Sequence, residues 1–568
     1  MKLRNLKIAN YRGVKSLNWS IPDIPQICLI GSGDSNKSTI LEAISLVFSP
    51  YWNPKITDND FHNCDPSQPI QIFATIGNLP EEFISRFDFG DNLSGWNIAT
   101  NEYSTEPKDD EGWELALKVR FSVGADLEPK WSVVREDHDE GRDFKTADRT
   151  KANVSLVGHD RDIHLTWSRY SVLDRITEKQ VVTSPLAIAG RAAKEALCGQ
   201  RDQIANLDEA AGVAEAAARE LGIQVNTGYQ AHLDLAAIQL RQGGLGLHDG
   251  NVPIHQLGLG SKRMLIGSLQ GKVKEGHHIT LFDEIEVGLE PNRIARLLKT
   301  LADDAVGQFI MTTHSPVVLR ELGVENLFVV HASTAETKII PAAQEHIKNN
   351  LQGNIRLAAE AFLASKVIVC EGATEVGFLR GLDQSWVKEK ELSCSYHGVT
   401  FLDARGASKI EGIVKDLNLM QYNSCVFADA DDESNFSKAT RNTLSTSGTK
   451  VIVWADSFCL EQRVFNDLPW EGVVESLRLA QTLGNNAIVA NVGSAIGRVI
   501  DTNIESWEDA QDLRNAIGKA AKLSEWFKRT DRGEAWAILI FPYVKSEEMV
   551  NSDLSVKVSQ LRHWISDE

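Results

Sequence analysis

The sequence has no pair of cysteines at CxxC spacing, no internal repeat and no low-complexity linker. No apolar run approaches the roughly 18 residues that a bilayer-spanning helix needs. The first residues, MKLRNLKIANYRG, lack the apolar core of a secretory leader. Positive charge is in deficit: 59 Lys and Arg against 78 Asp and Glu give a net charge of −19. Each absence excludes a class. The seven cysteines (Cys28, Cys64, Cys198, Cys370, Cys394, Cys425, Cys459) are scattered and odd in number. They argue against a disulfide framework or a zinc site and for reduced thiols in a cytoplasmic protein. No membrane partner is expected. The acidic balance excludes a protein that coats nucleic acid over its whole surface, but leaves room for a local basic groove. It also makes the location of the carboxylates more informative than their number.

What is present is an ordinary globular composition, 42% hydrophobic and 24% charged over 568 residues. That length holds about three to four domains. KLRNLKIANY, QICLIG, IQIFATIG and LALKVRFSV read as strands. Residues 186–222 are alanine-rich and helical. HLDLAAIQLRQ reads as a strand, followed by a helix from Ser261 and the apolar strand HITLFDE. AAQEHIKNNLQGNIRLAAEAFLAS reads as a helical bridge to a second α/β pattern that opens with KVIVCE at Lys366. The expected layout is an α/β head in two parts, 1–180 and 226–345, interrupted by a helical insertion at 181–225 and followed by a second α/β domain at 346–568.

GSGDSNKST, Gly31 to Thr39, lies between a buried strand and an amphipathic helix. Backbone N–H groups and a helix N-terminus at such a turn hold phosphates. Gly31, Gly33, Asn36, Lys37, Ser38 and Thr39 are therefore the candidate nucleotide contacts. Lys37 would reach the β- and γ-phosphates, and the Ser38 hydroxyl would ligate Mg²⁺. Asn36 stands where the usual pattern has glycine, and asparagine tolerates left-handed backbone angles. Its side chain either crowds the loop or adds a hydrogen bond. HHITLFDEIEVGLEP ends an apolar strand in Asp283 and Glu284. A strand-end aspartate can hold the Mg²⁺ shell, and the next glutamate can position or deprotonate water. FIMTTHSP places His314 at another strand end, and LGLGSKR offers a glycine turn, with Gly258, Gly260 and Ser261, before a helix.

This order of elements resembles the ABC-type ATPase heads of DNA repair and chromosome-maintenance proteins. Lys37 and Ser38 match Walker A, Asp283 and Glu284 match Walker B, Ser261 sits in a divergent signature turn, and His314 matches the switch histidine. Arg12 and Gly13 correspond to the Arg-Gly turn of the entry strands. The resemblance implies ATP held between two heads, and hence a homodimer or higher homo-oligomer. The alanine-rich insertion is expected either to supply that interface or to pack on its own head.

KVIVCEGATEVGFLRGL puts Glu371 at a strand end and Glu375 at the opening of a helix. CVFADADDES ends a second buried strand in Asp429, Asp431 and Asp432. Residues i and i+2 of an extended segment share a face, so Asp429 and Asp431 can share a metal. In parallel α/β sheets functional groups gather at the carboxyl ends of strands. Crowded carboxylates require a cation, and all-oxygen ligands suit Mg²⁺ or Mn²⁺. Glu-Gly-x-x-Glu followed by Asp-x-Asp resembles a Toprim domain, with FLDARGASKI as the intervening strand and turn. By that resemblance Glu461, in CLEQRVFNDLP, is an additional acidic position. WFKRTDRGEAWA resembles a segment with an essential lysine, for which Lys528 is the match and Arg529, Arg532 and Lys545 are rivals.

An ABC-type head with a helical insertion, followed by a Toprim domain, resembles the OLD (overcoming lysogenisation defect) family of endonucleases over nearly the whole chain. Within it the layout is similar to the Gabija nuclease subunit and to retron-associated OLD effectors. The resemblance implies antiphage defence, with DNA as substrate and a neighbouring defence protein as partner: a helicase-like subunit, or a retron reverse transcriptase with its nucleic acid. The expected chemistry is phosphodiester hydrolysis by two metals about 4 Å apart. Glu371, Asp429 and Asp431 form the core, and Glu375 and Glu461 complete the second position. Glu371 serves alternatively as general base. ATP binding would gate access to DNA. The competing expectation is an ATP-sensing scaffold with an inactive Toprim domain.

Overall fold

The computed structural model describes residues 1–85, 89–158, 162–168, 171–177, 183–198, 205–230, 245–270, 277–304, 306–343 and 348–567. They form two compact units. The first comprises Met1–Gly13, Asn18–Gln26 and Ser38–Met311, and the second Val14–Leu17, Ile27–Lys37 and Thr312–Glu568. This division differs from the motif-based layout. The phosphate-loop segment and residues 312–345 cluster with the C-terminal region because Leu327–Val329 pair in parallel with Cys28–Ile30. Among the described residues, no helix is long and apolar enough to cross a membrane.

In the first unit Lys2–Tyr11, Ile70–Gly77 and Trp113–Val123 form an antiparallel sheet, extended by Pro129–Val134. Leu3, Leu6 and Ile8 are buried while Lys2, Asn5 and Lys7 are half-buried, the period of a strand with one face on a core. A register shift between Leu3 and Asn5 restores the alternation. Val154–Val157, Ile279–Phe282 and Gln308–Met311 run parallel. The helix Pro291–Ala302 starts on a proline and buries Ile294, Leu297, Leu298 and Leu301, spaced as one helical face.

The alanine-rich insertion is helical over Thr183–Cys198 and Ala205–Glu220. Its apolar side chains Ile188, Leu207 and Val213 are exposed. The strand expected over residues 232–242 lies outside the described residues.

In the second unit four parallel strands lie in the order Val399–Asp403, Lys366–Cys370, Asn423–Ala428, Lys450–Val453. Val367, Ile368, Val369 and Cys370 are all buried, as an inner strand of a sheet covered on both faces requires. The helix Ala373–Lys388 lies directly on the helix Thr530–Val544. Gly377 meets the Thr530 carbonyl oxygen, Gly381 that of Glu534, and a methyl group at Gly533 would come within 2.6 Å of the Thr374 carbonyl oxygen. Backbones approach this closely only where side chains are absent. Beside this contact Phe527 and Trp536 stack at 4.0 Å, and the Trp536 indole N–H donates to Ser476 Oγ at 3.0 Å. The C-terminal helices therefore cover the sheet that ends in Glu371 and Asp429.

Gly377→Ala should lower the denaturant midpoint, at a cost of about 1–3 kcal/mol from overpacking, and Gly377→Val should cost more. Equilibrium urea unfolding checks this, and unchanged stability in both variants would refute the close helix contact.

Candidate functional site

The strand Lys366–Cys370 delivers Glu371 to the carboxyl edge of the sheet. The helix that follows starts at Ala373, and Glu375 accepts the Gly372 N–H at 2.8 Å. This capping contact holds the Glu375 carboxylate at the same edge. On the neighbouring strand Phe427 is opposite Cys370, so Asp429 emerges beside Glu371, and its N–H donates to Glu371 Oε2 at 3.2 Å. Asp429 Oδ1 in turn accepts the Leu460 N–H at 2.8 Å, at the start of the helix Leu460–Asp467. Glu461 is the next residue. Three elements thus converge through hydrogen bonds to the acids themselves.

The donor atoms of Asp429, Cys459 and Glu461 lie within 4.8 Å of one another, and all three residues are buried. Burial, and then the neighbouring acids, push the carboxyls up. Asp429 lies well above the usual range through burial and the charges of Glu375, Glu461, Glu371 and Asp431. Glu375 is pushed up to about 8 by burial and by Glu461. Glu371 and Glu461 are raised chiefly by burial. Asp431 is bonded by Lys522 Nζ, and this carboxylate holds the ammonium firmly charged despite its partial burial. Five buried or half-buried acids crowded together fit a hard divalent cation with oxygen ligands. Glu371, Glu375, Asp429, Asp431 and Glu461 are the residues available to it.

Sequence reasoning did not single out Lys522 or the Cys459 thiol. None of the four basic candidates bonds an acid of the cluster among the described contacts, although Lys528 is near enough to feel the charge of Glu461. Lys528 pairs with Glu525 at 2.8 Å with its side chain 61% exposed. Arg529 pairs with Asp531, and Arg532 donates to the Trp526 and Leu483 carbonyls. Lys545 bonds Glu389. Lys522 ends the helix Gln511–Leu523, where only packing distinguishes it from Lys519. Asp432 turns to its own loop, accepting from Ser434 and Asn435.

In the nucleotide loop the backbone does what a glycine would do: Asn36 has φ 70° and its side-chain amide donates to Thr337 Oγ1 at 3.2 Å. Gly31 has φ 134°, and a methyl group there would come within 2.8 Å of the Val330 carbonyl oxygen. Lys37 Nζ is folded back on the loop, donating to Gly31 O at 3.1 Å, Ser32 O at 2.6 Å and Ser35 Oγ at 2.9 Å. The helix begins at Lys37, with Gly33 exposed and Thr39 half-buried.

Ser38 Oγ donates to Asp283 Oδ1 at 2.7 Å, joining the two residues expected to share Mg²⁺. Glu284 follows with φ 47°. Buried Arg263 braces this turn, donating to the carbonyls of Asp283 and Glu284, a role no sequence motif signalled. The helix expected from Ser261 starts instead at Leu259, with Gly260 packed on the Gly288 carbonyl. The Ser261 hydroxyl accepts from Arg293 at 3.0 Å. His314 is exposed beyond the strand Gln308–Thr312.

Residues 1–165 match the AAA ATPase domain family. Residues 244–320 match an AAA domain family named for the AbiEii toxin of a type IV TA system. Residues 362–431 match the family described as overcoming lysogenization defect protein-like, TOPRIM domain. The chain is similar to the OLD nuclease of Thermus scotoductus, 23% identical over 462 residues, 72% of this chain and 79% of that protein. Among solved structures it resembles the SMC head domain from Thermotoga maritima (TM-score 0.29, 14% identity, 61% of this chain and 100% of that one). It also resembles an SMC head bound to the C-winged helix domain of ScpA (TM-score 0.34, 13% identity, 60% and 98%). The fold is an α/β ATPase head, matched by AAA-domain families on either side of the helices Thr183–Cys198 and Ala205–Glu220, followed by a Toprim domain.

Between pH 4.5 and about 8 the folded chain holds a proton on Glu375 that the unfolded chain has released. Stability of the metal-free protein therefore falls as pH rises through that interval. Thermal melts in chelator should show the fall, Glu375→Gln should flatten it, and Mg²⁺ should raise the melting temperature more at pH 8 than at pH 6. A flat wild-type profile would count against the buried acid pair.

Proposed function

We propose that this chain, which fits the OLD family, is an ATP-regulated, divalent-metal-dependent DNA endonuclease of antiphage defence, acting in the cytoplasm as a homodimer or higher homo-oligomer. The observation that carries the reading is the convergence of Glu371, Glu375, Asp429, Asp431 and Glu461 on one sheet edge, with Lys522 on Asp431. Mg²⁺ or Mn²⁺ held by these carboxylates would supply Lewis acidity and a nucleophile at neutral pH.

The protein's own groups do the rest. Glu371, with its carboxyl raised by burial, is a stronger base than an exposed carboxylate and is suited to take a proton from water. Lys522 orients Asp431 and brings positive charge to the place where a phosphodiester's non-bridging oxygens would lie. An inactive scaffold would not need to hold five acids in mutual repulsion.

Regulation by ATP is supported by the loop and by its neighbours. Phosphate oxygens would replace the loop carbonyls that now hold Lys37, and Mg²⁺ would enter between Ser38 and Asp283. Glu284 and His314 would act on the γ-phosphate side, and the Ser261 turn would face the other subunit's nucleotide. The strand Leu327–Ala332, next to the loop's own strand, reaches the Toprim region: the His331 ring bonds the Met420 carbonyl at 2.7 Å and lies edge-on to Tyr422. A cavity lined by Gly31, Ser32, His331, Ser365 and Tyr422 lies alongside. Movement of the loop on nucleotide binding has a packed path to the Toprim sheet. The partner would be a neighbouring defence protein, a helicase-like subunit or a retron reverse transcriptase with its nucleic acid.

Plasmid nicking by the purified protein should require Mg²⁺ or Mn²⁺, and Asp429→Ala should reduce it by at least about 100-fold while the protein stays folded. Lys522→Ala should cost about 10- to 100-fold, whereas Lys528→Ala should stay within a factor of three or so of wild type. A folded Asp429→Ala protein that cuts at the wild-type rate would falsify the metal assignment, and wild type that does not cut with either metal would overturn the nuclease reading.

Calorimetry with ATP and Mg²⁺ tests the regulatory half. Lys37→Ala should weaken binding at least about tenfold, the size of a lost charge-assisted contact, while Glu284→Gln keeps binding and slows turnover. Equal binding by wild type and Lys37→Ala would remove the loop from the mechanism.

A further inference from the structure

Cys459 stands apart from the other described cysteines. Cys28, Cys370, Cys394 and Cys425 are also buried and Cys64 is exposed, but none of these belongs to a group of metal-ligating side chains among the described residues. Cys459 immediately precedes the helix that carries Glu461. Its sulfur lies within 4.8 Å of ligand oxygens of both Asp429 and Glu461. Both acids are anchored by the surrounding backbone: Asp429 by the Leu460 N–H, Glu461 by its place in the first helical turn. A tetrahedral ion with bonds of about 2.1 Å to oxygen and 2.3 Å to sulfur needs such donors about 3.6 Å apart. Small side-chain rotations reach that spacing. The expectation of an all-oxygen centre therefore does not describe this side of it, which offers one sulfur and two oxygens.

We infer that Cys459 is a thiolate ligand at the Asp429–Glu461 position, giving the centre a second mode in which it takes a borderline-soft divalent ion such as Zn²⁺ or Co²⁺ in preference to Mg²⁺. The inference rests on the reading of the acid cluster as a metal centre. On binding, the sulfur–metal bond forms as the S–H bond breaks, and the proton leaves to solvent. No oxidant or reductant is needed. Thiolate favours Zn²⁺ over the hard cations, which take oxygen. Mg²⁺ would be held by the carboxylates without the sulfur, whereas Zn²⁺ would draw the sulfur in and tie Asp429 and Glu461 to it. The nuclease centre would thus sense the ratio of the two ions.

The test uses the full-length protein and Co²⁺, whose bond to thiolate gives an intense near-ultraviolet charge-transfer band that carboxylate ligands do not. Wild type should show the band on titration. Cys459→Ser should lose it while retaining weak Co²⁺ binding, and Asp429→Ala should lose it as well. Competition against a chromophoric chelator should show Zn²⁺ affinity falling at least tenfold in Cys459→Ser, with Mg²⁺ affinity within twofold, on the scale of one lost ligand. Thermal melts establish that each variant is folded. If Cys459→Ser is not, Glu461→Gln, which removes a neighbouring donor, should weaken the band in its place. Co²⁺ binding without the band in wild type overturns the thiolate ligand and leaves the carboxylate centre standing. A band that persists in Cys459→Ser assigns the sulfur elsewhere and also overturns it. Absence of any Co²⁺ or Mg²⁺ binding overturns both readings.

Discussion

Glu375, Asp429 and Glu461 are buried side by side, with Glu371 bonded to the Asp429 backbone and a lysine on the adjacent Asp431. Placing several ionisable carboxyls out of water costs about several kcal/mol each if they stay charged, so without a cation they take up protons instead. The rest of the C-terminal region serves to hold that unfavourable group together. Its inner strand Lys366–Cys370 is apolar on both faces, the Ala373–Lys388 and Thr530–Val544 helices touch backbone to backbone at glycines, and Trp536 is stacked and hydrogen-bonded in the core. Burial of a side chain such as Trp536 stabilises by about 3–5 kcal/mol relative to alanine. A few such groups suffice to offset the acids.

The nucleotide loop follows a different logic. It must bend sharply and present N–H groups, and it does so with asparagine where glycine is usual. Asparagine meets the positive φ at small cost, and the Thr337 contact supplies an anchor that glycine lacks. Lys37 occupies the carbonyls of its own loop, so nucleotide binding is an exchange of partners for a charge already desolvated. That exchange is the physical step by which ATP would change the loop.

Among the described residues the strands around the two sites, the turn at Gly31 to Lys37, the acids Glu371, Asp429 and Asp431 at strand ends and Glu375 at a helix opening were legible in the sequence. Each is written in contiguous residues: an apolar run of strand length, a glycine- and serine-rich turn, an acid where the run stops. Glu461 was legible only through the family resemblance, since nothing near CLEQ says which sheet edge it faces.

The assignment of Lys522 could not have been read locally. Lys522 and Asp431 are 91 positions apart, and nothing in the residues around Lys522 sets it apart from Lys519 or Lys528. The same holds for Cys459, for Arg263 beneath the Asp283 turn, and for Gly260 against the Gly288 carbonyl. The sequence by itself determined which segments are strands and helices and where acids and phosphate-binding turns interrupt them, because backbone preference and hydrophobic period are short-range. Tertiary structure alone decided which cation meets the acids and which thiol joins them, because those contacts depend on how distant elements pack and on the burial that packing imposes.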